Sequence, residues 1–433
     1  MNLYSTKSRS KTVSLKEAVL QGLPPDNGLY MLEDIPVLPP AFFDNISAFS
    51  FPELAFQVAR NLIGTSINDQ NLKTIIDRSI VFDAPLVSLD PNTHVLELFH
   101  GPTLAFKDFG ARFMAELMSF LVQNDNRKLT ILVATSGDTG GAVAKGFYQT
   151  EGIEVIILYP SGKVSALQEK QLTTLGGNIT ALEIQGTFDD CQALVKQAFL
   201  DSDLQRYLWL TSANSINIAR LIPQSFYYFR AYQQLKNKHE PFLFVVPSGN
   251  FGNLTAGLMA KKMGMPVAKF IAATNVNDVV PEYLESGVFH PRSSVPTLSN
   301  AMDVGNPSNF ARIMDLYGAD HEEVTRSIEG YAFTDLSTKE AIKELYDRFE
   351  YVIDPHGAVG YLALKEYQLR FPQSSGIILA TAHPGKFVDT VEETLGFPVH
   401  IPERLSKLAD LPKDSIVMDT DFGSFKAYLI GRE

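Results

Sequence analysis

A lysine near the predicted start of a helix is the first residue that could do chemistry. Lys107 stands in the stretch ELFHGPTLAFKDFGARFMAEL, directly after an apolar run. Phe113, Leu117 and Leu121 then recur at helical spacing, which predicts an amphipathic helix beyond Phe109. A solvated side chain at a helix start is one interpretation of Lys107. If apolar neighbours bury the amine instead, its pKa falls, and a neutral amine can bond covalently to an aldehyde.

A glycine-containing turn offers a site for an anion. The segment VPSGNFGNLTAG joins a predicted strand to a predicted helix through Gly249, Asn250, Phe251, Gly252 and Asn253. Glycines at such a junction let several backbone amides converge on one anion, and phosphate is the natural occupant. A tight turn without a ligand is the alternative that this spacing leaves open. Pyridoxal phosphate carries both an aldehyde and a phosphate, so the lysine and the turn together indicate this cofactor.

Motifs for other kinds of catalysis are missing from the sequence. It contains neither the Walker lysine pattern nor GxGxxG after a strand, so a nucleotide cofactor is not supported. It also lacks the GxSxG pattern of serine hydrolases. His100, His356 and His383 have no ligand spacing such as HExxH, and we predict no metal site. Cys191 is the only cysteine, which excludes intramolecular disulfides and thiolate metal cages.

The elements that must position these residues alternate between strands and helices from about residue 129 onward. Nearly continuous apolar runs predict strands that are buried on both faces, and hence a parallel sheet covered by helices. Ligands of such folds bind beyond the carboxyl ends of the strands. The predicted strands are LTILVAT, IEVIILYP, ITALEIQ, PFLFVVPS, KFIAATN and GIILATA, which end at Thr135, Pro160, Gln185, Ser248, Asn275 and Ala382.

The length of 433 residues predicts two or three domains. Residues 1–95 contain helical stretches and the proline-rich LEDIPVLPPAFF but few strand runs, so we predict a separate, mainly helical N-terminal domain. Residues 96–240 are predicted to form a smaller α/β domain that carries the lysine segment. Residues 241–433 are predicted to form a larger α/β domain that carries the glycine turn.

Composition limits the partners and the location of the chain. Lysine and arginine number 37 against 49 acidic residues, a net charge of −12, and no basic stripe is present for nucleic acid. No apolar run is long enough to span a membrane. The lone cysteine and the absence of a secretory signal predict a cytoplasmic protein, although the basic, serine-rich opening leaves an organellar transit peptide open. We expect a monomer or a weak homodimer.

Nine motifs, in order from about residue 4 to 395, carry a family resemblance. The chain resembles the fold type II pyridoxal phosphate enzymes, and within them the threonine synthase family of bacteria and fungi, which has an extra N-terminal domain. The resemblance implies a tryptophan synthase β-like α/β fold with two parallel-sheet domains. The motifs are GLPPDNGLYMLEDIP, HGPTLAFKDFG, TSGDTGGAVA, SANSINIAR, VPSGNFGNLTAG, AATNVNDVVP, TLSNAMDVGNPSN, DPHGAVGY and TAHPGKF.

The resemblance also implies roles at a cofactor site. Lys107 matches the lysine that bonds to the cofactor aldehyde, and the turn from Gly249 to Asn253 matches the loop that binds the cofactor phosphate. Thr381 matches the hydroxyl that hydrogen-bonds the pyridine nitrogen. Asp138 occupies the place where many fold type II enzymes have an asparagine beside the cofactor's ring oxygen. The group that Asp138 binds stays open, because a carboxylate would repel the cofactor's phenolate oxygen. An alternative role for Asp138 is to cap the following helix.

The activity that the resemblance implies is conversion of O-phospho-L-homoserine and water to L-threonine and phosphate, by β,γ-elimination and replacement. This reaction is the last step of threonine biosynthesis. A serine or threonine dehydratase, a sulfhydrylase and a non-catalytic phosphate-binding relative are the alternatives. The substrate brings its own anions, for which the candidates by resemblance or by position are Thr135, Ser136, Thr139, Asn214, Ser215 and Arg220.

Overall fold

Three β-sheets organise the chain in this computed structural model, which describes residues 1–135, 137–238 and 240–431. The N-terminal sheet is antiparallel, and its strands lie in the order Ser8–Ser14, Asn2–Ser5 and Tyr30–Leu32. Four α-helices follow the first strands of this region, namely Leu15–Gln21, Pro40–Asn45, Phe51–Ile63 and Asp69–Ser79. The sheet is an addition to the mainly helical region that the sequence predicts.

The smaller sheet is parallel throughout. Its five strands lie in the order Ile416–Met418, Ile179–Ile184, Ile153–Pro160, Leu129–Ala134 and Trp209–Ser212. Every residue of Leu129–Ala134 is buried, as expected for an inner strand that is covered on both faces. The α-helices from this part of the chain are Lys107–Val122, Asp138–Phe147, Ala166–Thr173, Phe188–Leu200, Ser202–Tyr207, Ile218–Leu221 and Gln224–Gln234.

The larger sheet has six strands and is parallel except at one edge. The order is Ile328–Ala332, Lys269–Thr274, Phe242–Pro247, Ser375–Ala380, Thr93–Glu97 and Leu86–Ser88, and the last pair is antiparallel. The remaining α-helices are Gly252–Lys262, Val279–Ser286, Phe310–Leu316, His321–Ser327, Asp335–Phe349, Pro355–Arg370, Val388–Leu395, Glu403–Ala409 and Phe422–Ile430. Short 3-10 helices are Ile46–Ala48, Gly64–Ser66, Asn300–Met302 and Pro384–Lys386.

All six predicted strands are confirmed, and each ends within two residues of its predicted end. Neither large sheet is formed from one continuous stretch of chain, because Thr93–Glu97 joins the larger sheet and Ile416–Met418 joins the smaller one. The division at residues 95 and 240 stays a prediction. Within the described residues, no helix is both long enough and apolar enough to cross a membrane.

Candidate active site

Lys107 is the first residue of the helix Lys107–Val122, so the predicted helix is confirmed and begins two residues before Phe109. Its side chain is partly buried, and its Nζ lies 5.8 Å from the centre of the Phe106 ring. Desolvation lowers the pKa of Lys107 to about 8, against the opposing charge of Asp138. The positive charges of Lys386 and Arg220 lower it further. About a tenth of this amine is therefore neutral at pH 7, far more than for an ordinary lysine.

The loop before Lys107 is bonded through its backbone to the end of the last strand of the larger sheet. The amide of Phe106 donates to the carbonyl of Thr381 at 2.9 Å, and the amide of His383 donates to the carbonyl of Leu104 at 3.0 Å. Leu104 has a φ of 60°, a left-handed conformation that is costly for a branched residue. These bonds bring Thr381, the predicted partner of the pyridine nitrogen, beside the lysine segment.

Asp138 begins the helix Asp138–Phe147 and is buried together with a second lysine. Lys386 Nζ lies 2.5 Å from Asp138 Oδ1, and Gln168 Nε2 donates to the same oxygen at 2.9 Å. Burial raises the pKa of Asp138, but the charges of Lys386 and Lys107 outweigh burial and hold that pKa well below its ordinary value. Asp138 is therefore an ionised carboxylate whose nearest partner is an ammonium group.

Sequence reasoning did not assign Lys386, although its motif TAHPGKF contributes to the family resemblance. The residue follows a strand of the larger sheet and is the last residue of the 3-10 helix Pro384–Lys386, and its side chain is fully buried. In the sequence, the feature that could have singled out Lys386 is its position close to the end of a predicted buried strand. Gln168, on the helix Ala166–Thr173, had no signal in the sequence.

The predicted phosphate turn is a tightly packed turn at the N-terminus of a helix. Phe251 adopts a left-handed conformation with a φ of 59°, immediately before the helix Gly252–Lys262. A Cβ at Gly249 would lie 2.4 Å from the carbonyl oxygen of Ala301, so this position accepts glycine alone. The hydroxyls of Tyr227 and Tyr228 donate to Asn253 Oδ1 at 2.7 and 2.8 Å. Asn253 Nδ2 is buried and has no hydrogen-bond partner among the described residues.

The turn is hydrogen-bonded to the predicted substrate loop. Asn250 Nδ2 donates to Ser215 Oγ at 2.6 Å, and Asn250 Oδ1 accepts from the amide of Ser308. Asn214 Nδ2 is 3.4 Å from the carbonyl oxygen of Ala134, which ends an inner strand of the smaller sheet. The structure therefore brings the glycine turn, Asn214 and Ser215 into one region.

Arg220 is buried below that region. One of its Nη1 donors bonds the carbonyl of Ala213 at 2.7 Å, and its Nε has no partner within the described chain. A Cβ at Gly110 would lie 2.9 Å from this Nε, so a glycine on the lysine helix makes room for the guanidinium. Burial lowers the pKa of Arg220 to about 10, and the carboxylate of Asp108 counteracts this shift. The guanidinium remains charged at neutral pH.

The remaining candidates have less distinct surroundings. The Thr135 hydroxyl accepts hydrogen bonds from the amides of Gly137 and Gly140, which gives it a role in shaping its own turn. Thr139 is half-buried in the following helix. Ser136 lies outside the described residues.

A cleft of about 1150 Å³ opens beside these loops. Its walls come from the N-terminal sheet, from the helix Phe188–Leu200 of the smaller sheet, and from residues that follow the larger sheet's strands. Its lining includes Lys7, Arg9, Lys196, Asn214, Asn250 and Ser308. The predicted substrate loop and the glycine turn thus both face an open, partly cationic cleft.

The histidines of the motifs make structural contacts. His356 Nδ1 lies 2.5 Å from Asp354 Oδ2, and its Nε2 accepts from the amide of Ala301 at 3.2 Å. His100 pairs with Glu97 at 2.8 Å. No cluster of three metal-ligating side chains occurs in residues 1–135, 137–238 or 240–431.

The site suits a phosphate-bearing aldehyde. It combines an amine of lowered pKa with a glycine turn at a helix N-terminus and an unpartnered amide donor at Asn253. A family model described as "Pyridoxal-phosphate dependent enzyme" matches residues 82–381, which identifies the class of protein. Two further family models, "Threonine synthase N terminus" and "Threonine synthase, C-terminal", match residues 2–80 and 357–429.

Comparison with individual proteins narrows the class. The chain is 47% identical to a threonine synthase of Haemophilus influenzae, over 99% of this chain and 100% of the relative. It superposes on the crystal structure of the Escherichia coli threonine synthase with a TM-score of 0.93 and 43% identity, over 100% of both chains. A structure of pyridoxal phosphate-bound threonine synthase from Brucella melitensis gives a TM-score of 0.92 at 33% identity, over 100% of this chain and 99% of that one. The chain belongs to the threonine synthase family.

Proposed function

We propose that this chain converts O-phospho-L-homoserine and water to L-threonine and phosphate, with pyridoxal phosphate as its cofactor. The observation that carries the proposal is the Lys107 amine, whose pKa is lowered to about 8 at the junction of the two large sheets. An amine in this state can bond to an aldehyde at neutral pH and can afterwards accept and return a proton. The identity of the substrate is inferred from membership of the threonine synthase family.

The residues that hold the cofactor are proposed from the geometry described above. Lys107 would bond to its aldehyde, and the turn from Gly249 to Asn253 would hold its phosphate. Thr381 would bind the pyridine nitrogen, and Asp138 would lie near the cofactor. When bound, the cofactor supplies a conjugated ring that disperses negative charge from the substrate's carbon atoms.

Lys107 is the proposed proton carrier. When it is not bonded to the cofactor, its Nζ would be a base in a desolvated position. It can then remove the proton from the substrate's α carbon and move protons at the neighbouring carbon, because desolvation lowers its pKa and so favours the unprotonated amine. Asp138 is ionised but already paired with Lys386, so it is poorly suited to the same task.

The substrate's phosphate is proposed to bind at Arg220, Asn214 and Ser215. The unpartnered Nε of Arg220 is a charged donor, and guanidinium groups bind phosphate through paired N–H bonds. Asn214 lines the cleft from which a phosphorylated substrate would enter. Thr135, Ser136 and Thr139 are proposed to lie near the substrate's carboxylate or phosphate.

The decisive experiment measures phosphate release from O-phospho-L-homoserine and identifies the amino acid formed. Lys107→Ala should abolish release together with the borohydride-reducible absorbance of the bound cofactor. Arg220→Ala should raise the KM for the phosphorylated substrate and leave the absorbance intact. Arg206→Ala is the matched control, because Arg206 is an exposed arginine that pairs with Asp203 on the surface.

The same assay tests the alternatives. A dehydratase would form a keto acid from serine or threonine, and its rate would not depend on Arg220. A non-catalytic relative would give colourless protein that releases no phosphate. We further propose that the protein is cytoplasmic and is a monomer or a weak homodimer, and gel filtration can test the oligomeric state. We also propose that the chain is divided into three domains at residues 95 and 240, which limited proteolysis can test.

A further inference from the structure

A second buried lysine lies next to the predicted cofactor lysine. The side chain of Lys386 is fully buried, and its Nζ lies 2.5 Å from Asp138 Oδ1 and 2.9 Å from the carbonyl oxygen of Thr103. The side chain of Asp138 is also buried. Two opposite charges have therefore been removed from water at one place, which costs free energy unless each compensates the other.

The pair joins three separate segments around Lys107. Lys386 follows the last strand of the larger sheet, Asp138 begins a helix beside the smaller sheet, and Thr103 lies in the loop that leads to Lys107. The same threonine donates to Asp108 through its amide and its hydroxyl, at 2.8 and 2.7 Å. The ion pair thus fixes the position of the segment from which the cofactor lysine projects.

The pair also keeps the Asp138 carboxylate from binding the reactive amine of Lys107. Asp138 interacts electrostatically with both lysines, and it stabilises the protonated form of Lys107. If Lys386 were absent, the nearest cation available to this buried carboxylate would be Lys107. Such a contact would hold Lys107 as an ammonium ion, which cannot attack an aldehyde. Lys386 occupies the carboxylate and prevents this outcome.

We propose that Lys386 is a positioning residue, which binds the Asp138 carboxylate and thereby keeps the Lys107 amine free for covalent attachment of the cofactor. The inference rests on the proposed function, because it assumes that Lys107 carries the cofactor. The inference does not require Lys386 to contact the substrate. The role of Asp138, which sequence reasoning left open, is then to hold Lys386 and the loop together.

The test compares Lys386→Met, Asp138→Asn and the double variant in the full-length, cofactor-free chain. The rate of covalent pyridoxal phosphate attachment to Lys107 is measured against pH by borohydride trapping and peptide mass spectrometry. In K386M the pH profile should move upward by about one unit, so attachment at neutral pH falls about tenfold. In D138N the profile should move downward, because an anion has been removed. The double variant should attach the cofactor at neutral pH about as fast as the wild type.

A surface ion pair provides the matched control. Lys339 Nζ lies 2.9 Å from Glu393 Oε1, where the Lys339 side chain is half-buried and the Glu393 side chain is exposed. Lys339→Met should leave the pH profile of attachment unchanged. Circular dichroism reports whether each variant folds. If K386M does not fold, Lys386→Gln, which keeps a donor for the carbonyl of Thr103, should give the same upward displacement.

Three results would overturn the inference. The first is that folded K386M or K386Q attaches the cofactor with the pH profile of the wild type. The second is that the pH profiles of K386M and D138N are displaced in the same direction. The third is that the double variant attaches the cofactor at neutral pH no faster than K386M. A merely structural pair would alter thermal stability without displacing the profile. The proposed function fails separately, through wild-type protein that attaches the cofactor but releases no phosphate from O-phospho-L-homoserine.

Discussion

The backbone amide of Phe106 donates a hydrogen bond of 2.9 Å to the carbonyl oxygen of Thr381. This bond joins the residue before the predicted cofactor lysine to the residue after the last strand of the larger sheet. Ala105 and Ala382 form an isolated β-bridge alongside it. The position of Lys107 relative to that strand end is therefore fixed by main-chain bonds. Only its side-chain nitrogen has freedom to change partners.

The first prediction concerns the pH dependence of cofactor attachment in the wild-type chain. Only the neutral amine attacks an aldehyde, so the neutral fraction of Lys107 controls the rate. Because the pKa of Lys107 is lowered to about 8, the rate should rise with pH up to that value and then level off. An unperturbed lysine would keep rising to a pH of about 10.4.

The measurement follows the absorbance of the bound cofactor after mixing, at a series of pH values. Lys145, an exposed lysine on the neighbouring helix, provides the control. Lys145→Ala should give the same profile and the same final absorbance. A profile that continues to rise well above pH 8 would show that burial does not activate Lys107.

The second prediction concerns Gly249 in the predicted phosphate turn. In Gly249→Ala the new Cβ would lie 2.4 Å from the carbonyl oxygen of Ala301 and 2.9 Å from Met302 Cα. Both contacts are with backbone, so the turn itself must move and its amides must leave the phosphate position. We expect the dissociation constant for pyridoxal phosphate, measured by absorbance titration, to rise about tenfold or more.

A glycine with open surroundings distinguishes steric displacement from a general effect of alanine. Gly64 has a φ of 56°, but a Cβ there would meet nothing within 4 Å. Gly64→Ala should lower the free energy of unfolding by about 1 kcal/mol and leave cofactor affinity unchanged. Equal losses of affinity in both variants would contradict the steric argument.

How well the sequence predicted the fold depended on how strongly each strand is buried. Strands such as Leu129–Ala134 are buried at every residue and could be predicted as apolar runs. By contrast, Ser8–Ser14 is exposed at nearly every residue and carries the polar sequence SRSKTVS, so neither alternation nor hydrophobicity marked it. The short strands Trp209–Ser212 and Ile328–Ala332 are only partly buried, and the second contains a glycine. Pairing with neighbouring strands, rather than composition, determines such elements.

The sequence predicted those features of the candidate site that depend on a single segment of the chain. The placement of Lys107 at a helix start and of Gly249 before a helix follows from local pattern. The partner of Asp138 could not be predicted in this way, because Lys386 reaches it from a different sheet. Burial of a lysine side chain is a tertiary property, and the general rule that lysines are exposed gives the wrong answer here.

The third prediction concerns His356, which supports the loop beneath Gly249. Its ring links the Asp354 carboxylate to the amide of Ala301, and the carbonyl of Ala301 is the atom closest to a Cβ at Gly249. His356→Ala removes both bonds and leaves a cavity. We expect the free energy of unfolding in urea to fall by about 3 kcal/mol and cofactor affinity to fall with it. Exposed His290, changed to alanine, should alter neither quantity.

Arg312 connects the N-terminal sheet to the predicted substrate loop. It is fully buried, and burial lowers its pKa to about 9. Its guanidinium donates to the carbonyl of Tyr30 through Nε and Nη2, at 3.1 and 2.9 Å. The remaining donors bond the carbonyls of Ser215 and Ile216 and the side chain of Asn309. One planar group therefore holds the strand Tyr30–Leu32 against the loop that contains Ser215.

The fourth prediction is that Arg312→Lys weakens this connection although it keeps the charge. A lysine has three donors at one point and cannot span carbonyls on two segments, so several buried oxygens lose their partners. The free energy of unfolding should fall by about 2 kcal/mol, and the KM for O-phospho-L-homoserine should rise as Ser215 loses its fixed position. Exposed Arg326→Lys, which keeps its pairing with Glu322 and Glu323, should change neither quantity. A wild-type KM in a destabilised R312K variant would mean that Arg312 secures the N-terminal sheet without orienting the substrate loop.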